Sequence, residues 1–430
     1  MARAKKEAAL TPEERLQAAL VPDWEWPYKL PGNWCWLKLV ESFDNHTDSK
    51  KKIKQKDYLV KGKLAVVDQG QELIGGYTND VEKSYSGALP IVIFGDHTRC
   101  IKFVDFPFAQ GADGVKVLRP KPFYLPKAFY YALQSVNIPN LGYRRHFPLF
   151  NKFSIPLPPF AEQQRIVDRI ESLFAKLDEA KEKAQAVVDS FETRRAAILH
   201  KAFTGELTAK WREEHGVSID NWKTTRFDSV AAIRSNLVDP AEYQSFPHIA
   251  PDNIEKKTGV LLEYHTIAED GVTSGKHRFY SGQILYSKIR PYLSKAVVVD
   301  FDGLCSADMY PIEAYQNARC LWYYMLSDEF LLQASTAGSR SVLPKINQKE
   351  LSALTLHLPT NDREQEEIAR ILDELFDKEQ QTKEAAEVVL DQIELMKKSI
   401  LARAFRGELG TNDPSEEGAV ELLKEIIRRG

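Results

Sequence analysis

The sequence is poor in the features that mark membranes, oxidising compartments and catalysis. Its 430 residues hold four cysteines, Cys35, Cys100, Cys305 and Cys320, with no Cys-x-x-Cys pair among them. Scattered thiols argue against a disulfide framework or a zinc site and point to a reducing, cytoplasmic setting. No apolar run approaches the length of a membrane span. The N-terminal stretch MARAKKEAALTPEERL lacks the hydrophobic core of a signal peptide.

Signatures of chemistry are equally thin. Leu157-Pro158-Pro159-Phe160 has the shape of an amino-methyltransferase Asn/Asp-Pro-Pro-Tyr/Phe motif but lacks the polar first residue, and no glycine-rich cofactor loop precedes it. It reads as a rigid lead-in to a helix. Gly271–His277 is one residue short of a phosphate loop, with His277 where Ser or Thr would hold magnesium, so Lys276 reads as an exposed turn residue. The nine histidines show no metal-ligand spacing. No Ser/His/Asp or Cys/His arrangement is legible, so neither catalytic, cofactor-binding nor metal residues are expected.

What the chain does contain is a repeat. Residues 162–207, EQQRIVDRIESLFAKLDEAKEKAQAVVDSFETRRAAILHKAFTGEL, lie without a gap on residues 364–409, EQEEIARILDELFDKEQQTKEAAEVVLDQIELMKKSILARAFRGEL, with 19 identities in 46 positions. Self-similarity of this length sets the architecture. Apolar or small residues recur at alternating steps of four and three, the period of a coiled-coil seam. In the first copy they are Ile166, Ile170, Leu173, Leu177, Ala180, Ala184, Val187, Phe191 and Ile198. In the second they are Ile368, Leu372, Leu375, Ala386, Val389, Ile393, Met396 and Ile400, with Glu379 and Thr382 as polar interruptions. Asn361 and Glu364 predict a capping box. Gly205 and Gly407 suit the left-handed residue beyond a helix end. About 42 residues at about 1.5 Å each make a rod of about 63 Å. Each rod's natural partner is the other.

The repeat extends outward. Val104-Asp105-Phe106 answers Val299-Asp300-Phe301, Tyr130-Tyr131 answers Tyr323-Tyr324, and Trp34 answers Trp222. Leu89–Phe94 and His97–Val104 predict a strand pair, and Lys127–Val136 a helix. The expected layout is an N-terminal extension (1–29) with a short helix capped at Thr11, a globular domain (30–159), a rod (160–207), a polar linker (208–221), a second globular domain (222–359), a second rod (360–409) and a tail (410–430). Val420, Leu423, Ile426 and Ile427 make the tail an amphipathic helix that docks back on the protein. The fold class is α+β: two similar α/β domains separated by two long antiparallel coiled-coil helices, related by a pseudo-twofold axis.

Net charge is −3, yet it is sorted along the chain. Residues 30–158 hold 18 Lys and Arg against 11 Asp and Glu; residues 222–359 hold 14 against 15; residues 360–413 hold 8 against 14. A basic globular half can hold phosphates. Candidate DNA contacts are Lys51, Lys52 and Lys54 in a lysine-rich loop, His97, Arg99 and Lys102, and Arg144, Arg145 and His146. In the second domain they are Lys276, Tyr286, Lys288, Arg290 and Lys295. Written as a strand, GQILYSKIRP puts Ile284, Tyr286, Lys288 and Arg290 on one face, as a DNA-contacting edge requires. Two unlike readers on one spacer imply a split double-stranded target.

The order of domain, LPPFAEQQRIV helix ending FTGEL, second domain, and EQEEIARIL helix ending FRGEL resembles the DNA-specificity subunit of type I restriction–modification systems, over nearly the whole chain. GQILYSKIRPYLSKAVVVDFDGLCSADM and FGDHTRCIKFVDFPFAQGADGVKVL are similar to that family's target-recognition domains. The resemblance implies a non-catalytic chain without a cofactor of its own, two methyltransferase subunits using S-adenosylmethionine, and restriction/translocase subunits using ATP and magnesium. Against it stand three alternatives: a methyltransferase or nuclease fused to its own reader, a coiled-coil interaction scaffold with no DNA role, and a reader subunit of another defence system.

Overall fold

The computed structural model describes residues 11–338 and 344–429. Residues 1–10 of the expected extension, 339–343 of the second domain and Gly430 of the tail lie outside them. The chain forms two compact units: residues up to 183 together with 389–430, and residues 184–388.

The first unit begins with α1 (Pro12–Ala19). Thr11 Oγ1 accepts from Glu14 N at 3.2 Å while Glu14 Oε2 accepts from Thr11 N at 2.8 Å, a complete capping box. Strands β1 (Cys35–Lys38) and β9 (Ser154–Leu157) pair antiparallel, Cys35 opposite Leu157. A four-stranded antiparallel sheet runs β2-β8-β5-β6, from β2 (Phe43–Asn45), β8 (Val115–Pro120), β5 (Ile91–Gly95) and β6 (Ile101–Val104). Strand β5 is buried at every position, as its unbroken apolar run requires. A second sheet, β4-β3-β7, joins β4 (Gly76–Thr78), β3 (Leu64–Val67) and β7 (Phe108–Gln110), with β3 parallel to β7. Helix α2 (Pro126–Ser135) covers the four-stranded sheet. The expected return strand from His97 starts only at Ile101, because Asp96–Cys100 form the hairpin turn, with Gly95 N bonded to Cys100 O.

The second unit repeats the plan. Strands β10 (Trp222–Arg226) and β20 (Thr355–Pro359) pair antiparallel, Trp222 opposite Pro359. The four-stranded sheet is β11-β19-β16-β17, from β11 (Ala231–Ile233), β19 (Met309–Ala314), β16 (Ile284–Ser287) and β17 (Ala296–Val298). The other sheet is β12-β15-β18-β13-β14, from β12 (Leu237–Val238), β15 (Lys276–Phe279), β18 (Gly303–Cys305), β13 (Pro247–Ile249) and β14 (His265–Thr266), with β13 parallel to β18. Helices α6 (Ala318–Met325), α7 (Asp328–Ala337) and α8 (Gln348–Ser352) pack beside these sheets. In both units the first strand of the domain pairs with the strand that feeds a long helix, so each domain closes on itself.

The first rod is not one helix. It forms α3 (Phe160–Asp189) and α4 (Phe191–Phe203), broken at Ser190. The Ser190 hydroxyl donates to Ala186 O at 2.5 Å, and Arg194 Nη1 reaches Val187 O at 3.1 Å and also bonds Ser190 Oγ. Hydroxyl back-bonding of this kind bends helices. The second rod is the unbroken α9 (Asp362–Ala404). Its capping box is only half present. Asn361 Oδ1 accepts from Arg363 N and Glu364 N, but the Glu364 carboxylate turns elsewhere. The linker 208–221 is also not merely polar chain: it contains α5 (Ala209–His215), whose Arg212 is buried. Tail helix α10 (Ala419–Arg429) buries Leu423 in the first unit's core, with Val420, Ile426 and Ile427 packed around it.

Within each unit the long helices run antiparallel. In the first, Asp178 meets Lys397 at 2.5 Å and Lys181 meets Glu394 at 2.7 Å. In the second, Glu379, the acid on the expected seam, pairs with Arg194 at 2.7 Å, and the Arg195 guanidinium lies 3.8 Å over the Phe376 ring. Ile166, Ile170, Phe191, Ile368, Leu372 and Ile393 are buried. Leu173, Leu177, Val187, Ile198, Leu375 and Ile400 are half-buried. Val389 and Met396 are not seam residues: they are 39% and 48% exposed. The buried positions Ala386, Ile393 and Leu401 step by seven and then eight. This stripe follows the drift of a straight 3.6-residue helix and passes them by.

Candidate nucleic-acid interface and the latch beneath it

The most specific parts of the repeat, the Glu-Gln start and the Gly-Glu-Leu end, meet each other. In the first unit the buried Glu162 accepts from Trp34 Nε1 at 2.7 Å, Asn412 Nδ2 at 2.8 Å and Thr411 Oγ1 at 3.1 Å. In the second, Glu364 accepts from Trp222 Nε1 at 3.0 Å, Thr208 Oγ1 at 2.8 Å and Arg212 Nη1 at 2.7 Å. The adjacent glutamines are buried as well. Gln163 Nε2 donates to Phe123 O and Pro158 O, and Gln365 Nε2 donates to Pro359 O at 2.8 Å, fastening each helix start to the chain that enters it. Gly205 and Gly407 hold φ of +80° and +74°. A Cβ on Gly407 would meet Pro31 Cγ at 2.3 Å, so both conformation and space demand glycine there. Tyr131 stands edge-on to Phe174 at 6.0 Å, and Tyr323 packs on Phe376 at 5.4 Å, the same contact made twice. These motifs are therefore a latch that seats a globular domain on its helices. Its Glu-Gln pairs are buried and leave the outer surfaces free to differ.

Several expected DNA contacts are interior. Tyr286 is buried against Phe330, ring centroids 6.0 Å apart, and burial pushes its hydroxyl pKa up. The strand reading of GQILYSKIRP fails because β16 is buried on both faces and ends at Ser287. His146 is fully buried: its Nε2 accepts from Leu141 N at 3.0 Å, which leaves Nδ1 to donate to Asp96 O at 2.8 Å. Lys102 is buried beside Asp68 at 3.5 Å and donates to Glu72 O. Lys276 is not in an exposed turn. It lies on β15, buried, with Nζ on Ser274 Oγ at 2.7 Å, and that burial lowers its pKa. These four support the domains from within and do not face a duplex.

The remaining candidates differ in freedom. Lys51 Nζ donates to Ser84 O at 3.1 Å, and Lys52 stands 4.0 Å from Asp113. His97 stacks on the exposed Tyr143, centroids 4.8 Å apart and planes 14° apart. Arg99 sits in the turn at φ +61° with Nη1 on Ile138 O at 3.0 Å, so it shares no strand face with His97. Lys295 Nζ donates to Pro251 O at 2.7 Å. Lys288 lies 5.1 Å over Tyr310, its pKa lowered by burial and then by Lys345. Lys54, Arg144, Arg145 and Arg290 are exposed, and their side chains make no hydrogen bond or ion pair with other described residues. Arg290 sits at φ +47°, a strained conformation for a residue with a side chain. The sequence reading missed Tyr143 and Arg278. The alternation Lys276, Arg278, Tyr280 along β15 and the residue after it was the available signal for Arg278.

Among the described residues no cluster of His, Cys, Asp or Glu could hold a metal, and no helix is long and apolar enough to cross a membrane. Burial pushes the Cys35 and Cys305 thiols up to about 12, which keeps them protonated.

Two like domains, each latched to paired helices and each carrying its own surface cations unpaired among the described residues, define a duplicated recognition protein. The family model for the type I restriction modification DNA specificity domain matches residues 32–188 and 219–389. The chain belongs to that family. It is 39% identical over 318 residues to the type I restriction enzyme EcoDI specificity subunit of Escherichia coli, covering 67% of this chain and 71% of that one. It is 25% identical over 289 residues to the EcoKI specificity subunit of E. coli strain K12, of which it spans 58%, covering 60% of its own length. With the EcoR124I/EcoR124II specificity subunit of E. coli it shares 24% identity over 364 residues, 79% of this chain and 85% of that. The fold is similar to that of the HsdS subunit from Thermoanaerobacter tengcongensis, with a TM-score of 0.54 and 18% identity over 90% of this chain and 100% of that. It is also similar to a chain from a type I R-M system solved to describe complex assembly and conformational transition, with a TM-score of 0.63 and 18% identity over 89% and 100%.

Proposed function

We propose that this chain supplies DNA sequence specificity to a type I restriction–modification complex acting in the cytoplasm. Each globular domain reads one half of a bipartite double-stranded target, and the paired helices set the unread gap. The carrying observation is the double latch: the same Trp–Glu–Thr closure seats two domains whose exposed faces carry different cations. Lys54, Arg144 and Arg145 in the first domain and Arg290 in the second are free to meet phosphates or bases. Two methyltransferase subunits dock on the helices, where the exposed Leu395 and Met396 of α9 offer an apolar surface. Those subunits bring S-adenosylmethionine; restriction/translocase subunits bring ATP and magnesium. The chain itself positions and does not react.

Mapping methylated adenines in DNA modified by the assembled complex tests this. The expected result is two short fixed sequences around a gap of constant length. Removing four residues from each long helix shortens it by about 6 Å, about two base pairs at about 3.4 Å each. The gap should contract while the letters of both half-sites stay the same. Changed letters with an unchanged gap would defeat the reading.

A further inference from the structure

Strand β15 of the second unit carries an arginine in unusual surroundings. The Arg278 guanidinium carbon lies 5.4 Å from the Tyr243 ring centroid, 5.9 Å from Phe246 and 4.8 Å from Tyr280. Tyr243 and Phe246 stand edge to face, 5.2 Å apart. The box opens to solvent on one side, because Tyr280 is 44% exposed. The strand position is fixed by the ladder, with Arg278 opposite Leu304 of β18 and its N–H bonded to Asn236 O at 3.3 Å.

Three rings hold this cation, yet it has almost no hydrogen-bond partner. Its one side-chain hydrogen bond among the described residues is a long one, Nη1 to the Tyr243 hydroxyl at 3.5 Å. Its Nε is buried with no acceptor. No carboxylate of a described residue lies within ion-pair reach. Aromatic faces attract a guanidinium but do not satisfy in-plane N–H groups. The other arginines of this unit that lie close to aromatic rings have such partners: Arg319 bonds Asp373, and Arg195 donates to Thr258 O. With Nε enclosed, the Nη1 and Nη2 groups form the planar fork, held by its neighbours, that is left to take two acceptors from outside the chain. Holding the fork in advance reduces the entropy lost on binding. That favours a ligand with a fixed in-plane acceptor pair over a freely rotating phosphate. In duplex DNA the matching edge is guanine O6 and N7 in the major groove.

Resting on the function proposed above, we propose that Arg278 is a base-reading residue of the second domain, donating through its guanidinium edge to O6 and N7 of one guanine in that domain's half-site. The test uses the full chain assembled with its methyltransferase partner, and a panel of duplexes changed one base pair at a time across both half-sites. The native complex should prefer guanine at one position of one half-site. R278A should lose that preference, by about 5- to 150-fold, and keep the preferences of the other half-site. R278K should lose it too while preserving a cation on the rings, since an ammonium cannot make the fork; it serves if R278A fails to fold.

Uniform weakening on every duplex, with a salt slope shallower by about one, would assign Arg278 to a phosphate and overturn the inference. So would full retention of every preference by a folded R278K. If the native complex shows no sequence preference at all, the proposed function falls and takes this inference with it. If the native complex discriminates and the variants discriminate alike, only the role of Arg278 falls.

Discussion

The second latch allows a quantitative test of the architecture. Glu364 and Arg212 bond at 2.7 Å with side-chain exposures of 0% and 11%. Arg212 also donates through Nη2 to Gly205 O at 2.7 Å, tying the helix end to the same carboxylate. In R212M the shape is roughly kept, but Glu364 is left as a buried anion with two neutral donors. Removing one partner of a buried pair costs about 3–5 kcal/mol. For a unit of this size each kcal/mol is worth about 2–4 °C, so the loss is about 6–20 °C. Scanning calorimetry measures it, and hydrogen exchange should place the loss in residues 184–388. The double variant R212M/E364Q should recover more than half, because a neutral amide still offers an oxygen to Trp222 and Thr208 without an unpaired charge. The reasoning is refuted if R212M stays within about 0.5 kcal/mol of the native chain, the ordinary scatter of surface substitutions. It is equally refuted if the double variant is no more stable than the single.

Two further outcomes separate interior from interface. Tyr286→Ala should destabilise the chain by about 3–5 kcal/mol, as large-to-small core changes do. Tyr286→Phe should be neutral or slightly stabilising in thermal melts, because the hydroxyl it removes is buried without a partner; a Phe variant that folds normally but loses DNA would return Tyr286 to the interface. Arg144→Ala and Arg145→Ala should leave stability unchanged and lower affinity equally for all sequences, each reducing the slope of log K against log salt by about 0.9. An unchanged slope for both would remove them from the phosphate contacts.

Much of the architecture is legible in the residues, because the long helices advertise themselves twice. A 202-residue offset that keeps Glu-Gln, Leu-Phe and Gly-Glu-Leu in register reveals the repeat. The capped start at Thr11 and the left-handed glycines at 205 and 407 follow from local rules. The break at Ser190 does not, since it depends on a hydroxyl and an arginine competing for the same turn. The interface is the least legible part. Charge in a sequence does not report burial. Lys102 and Lys276 look like surface cations, but each is buried on an acceptor inside its own domain, Glu72 O for the first and Ser274 Oγ for the second. Tyr286 looks like the aromatic of a DNA edge because period-two alternation assumes one wet face, whereas β16 has none. Arg278 was passed over since its meaning comes from Tyr243 and Phe246, which lie more than thirty residues away in the chain.

The latch also explains why the repeat is strong in the helices and weak in the domains. The glutamate and glutamine at its centre are buried in both copies and bonded to groups fixed by the fold: an indole N–H, a threonine hydroxyl, a backbone carbonyl. Such a site tolerates little change. The two copies solve the remaining charge problem differently, with Asn412 as a neutral donor for Glu162 and Arg212 as a cation for Glu364. Breaking them should therefore have unequal consequences. Losing Asn412 removes one of three neutral donors and leaves Trp34 and Thr411 in place, whereas losing Arg212 strands a charge. The outer faces carry no such constraint. Arg144 and Arg145 lie on one domain and Arg278 and Arg290 on the other, and no side-chain bond among the described residues depends on the charge of Arg144, Arg145 or Arg290. Recognition can thus be rewritten on either domain without disturbing the closure that seats it.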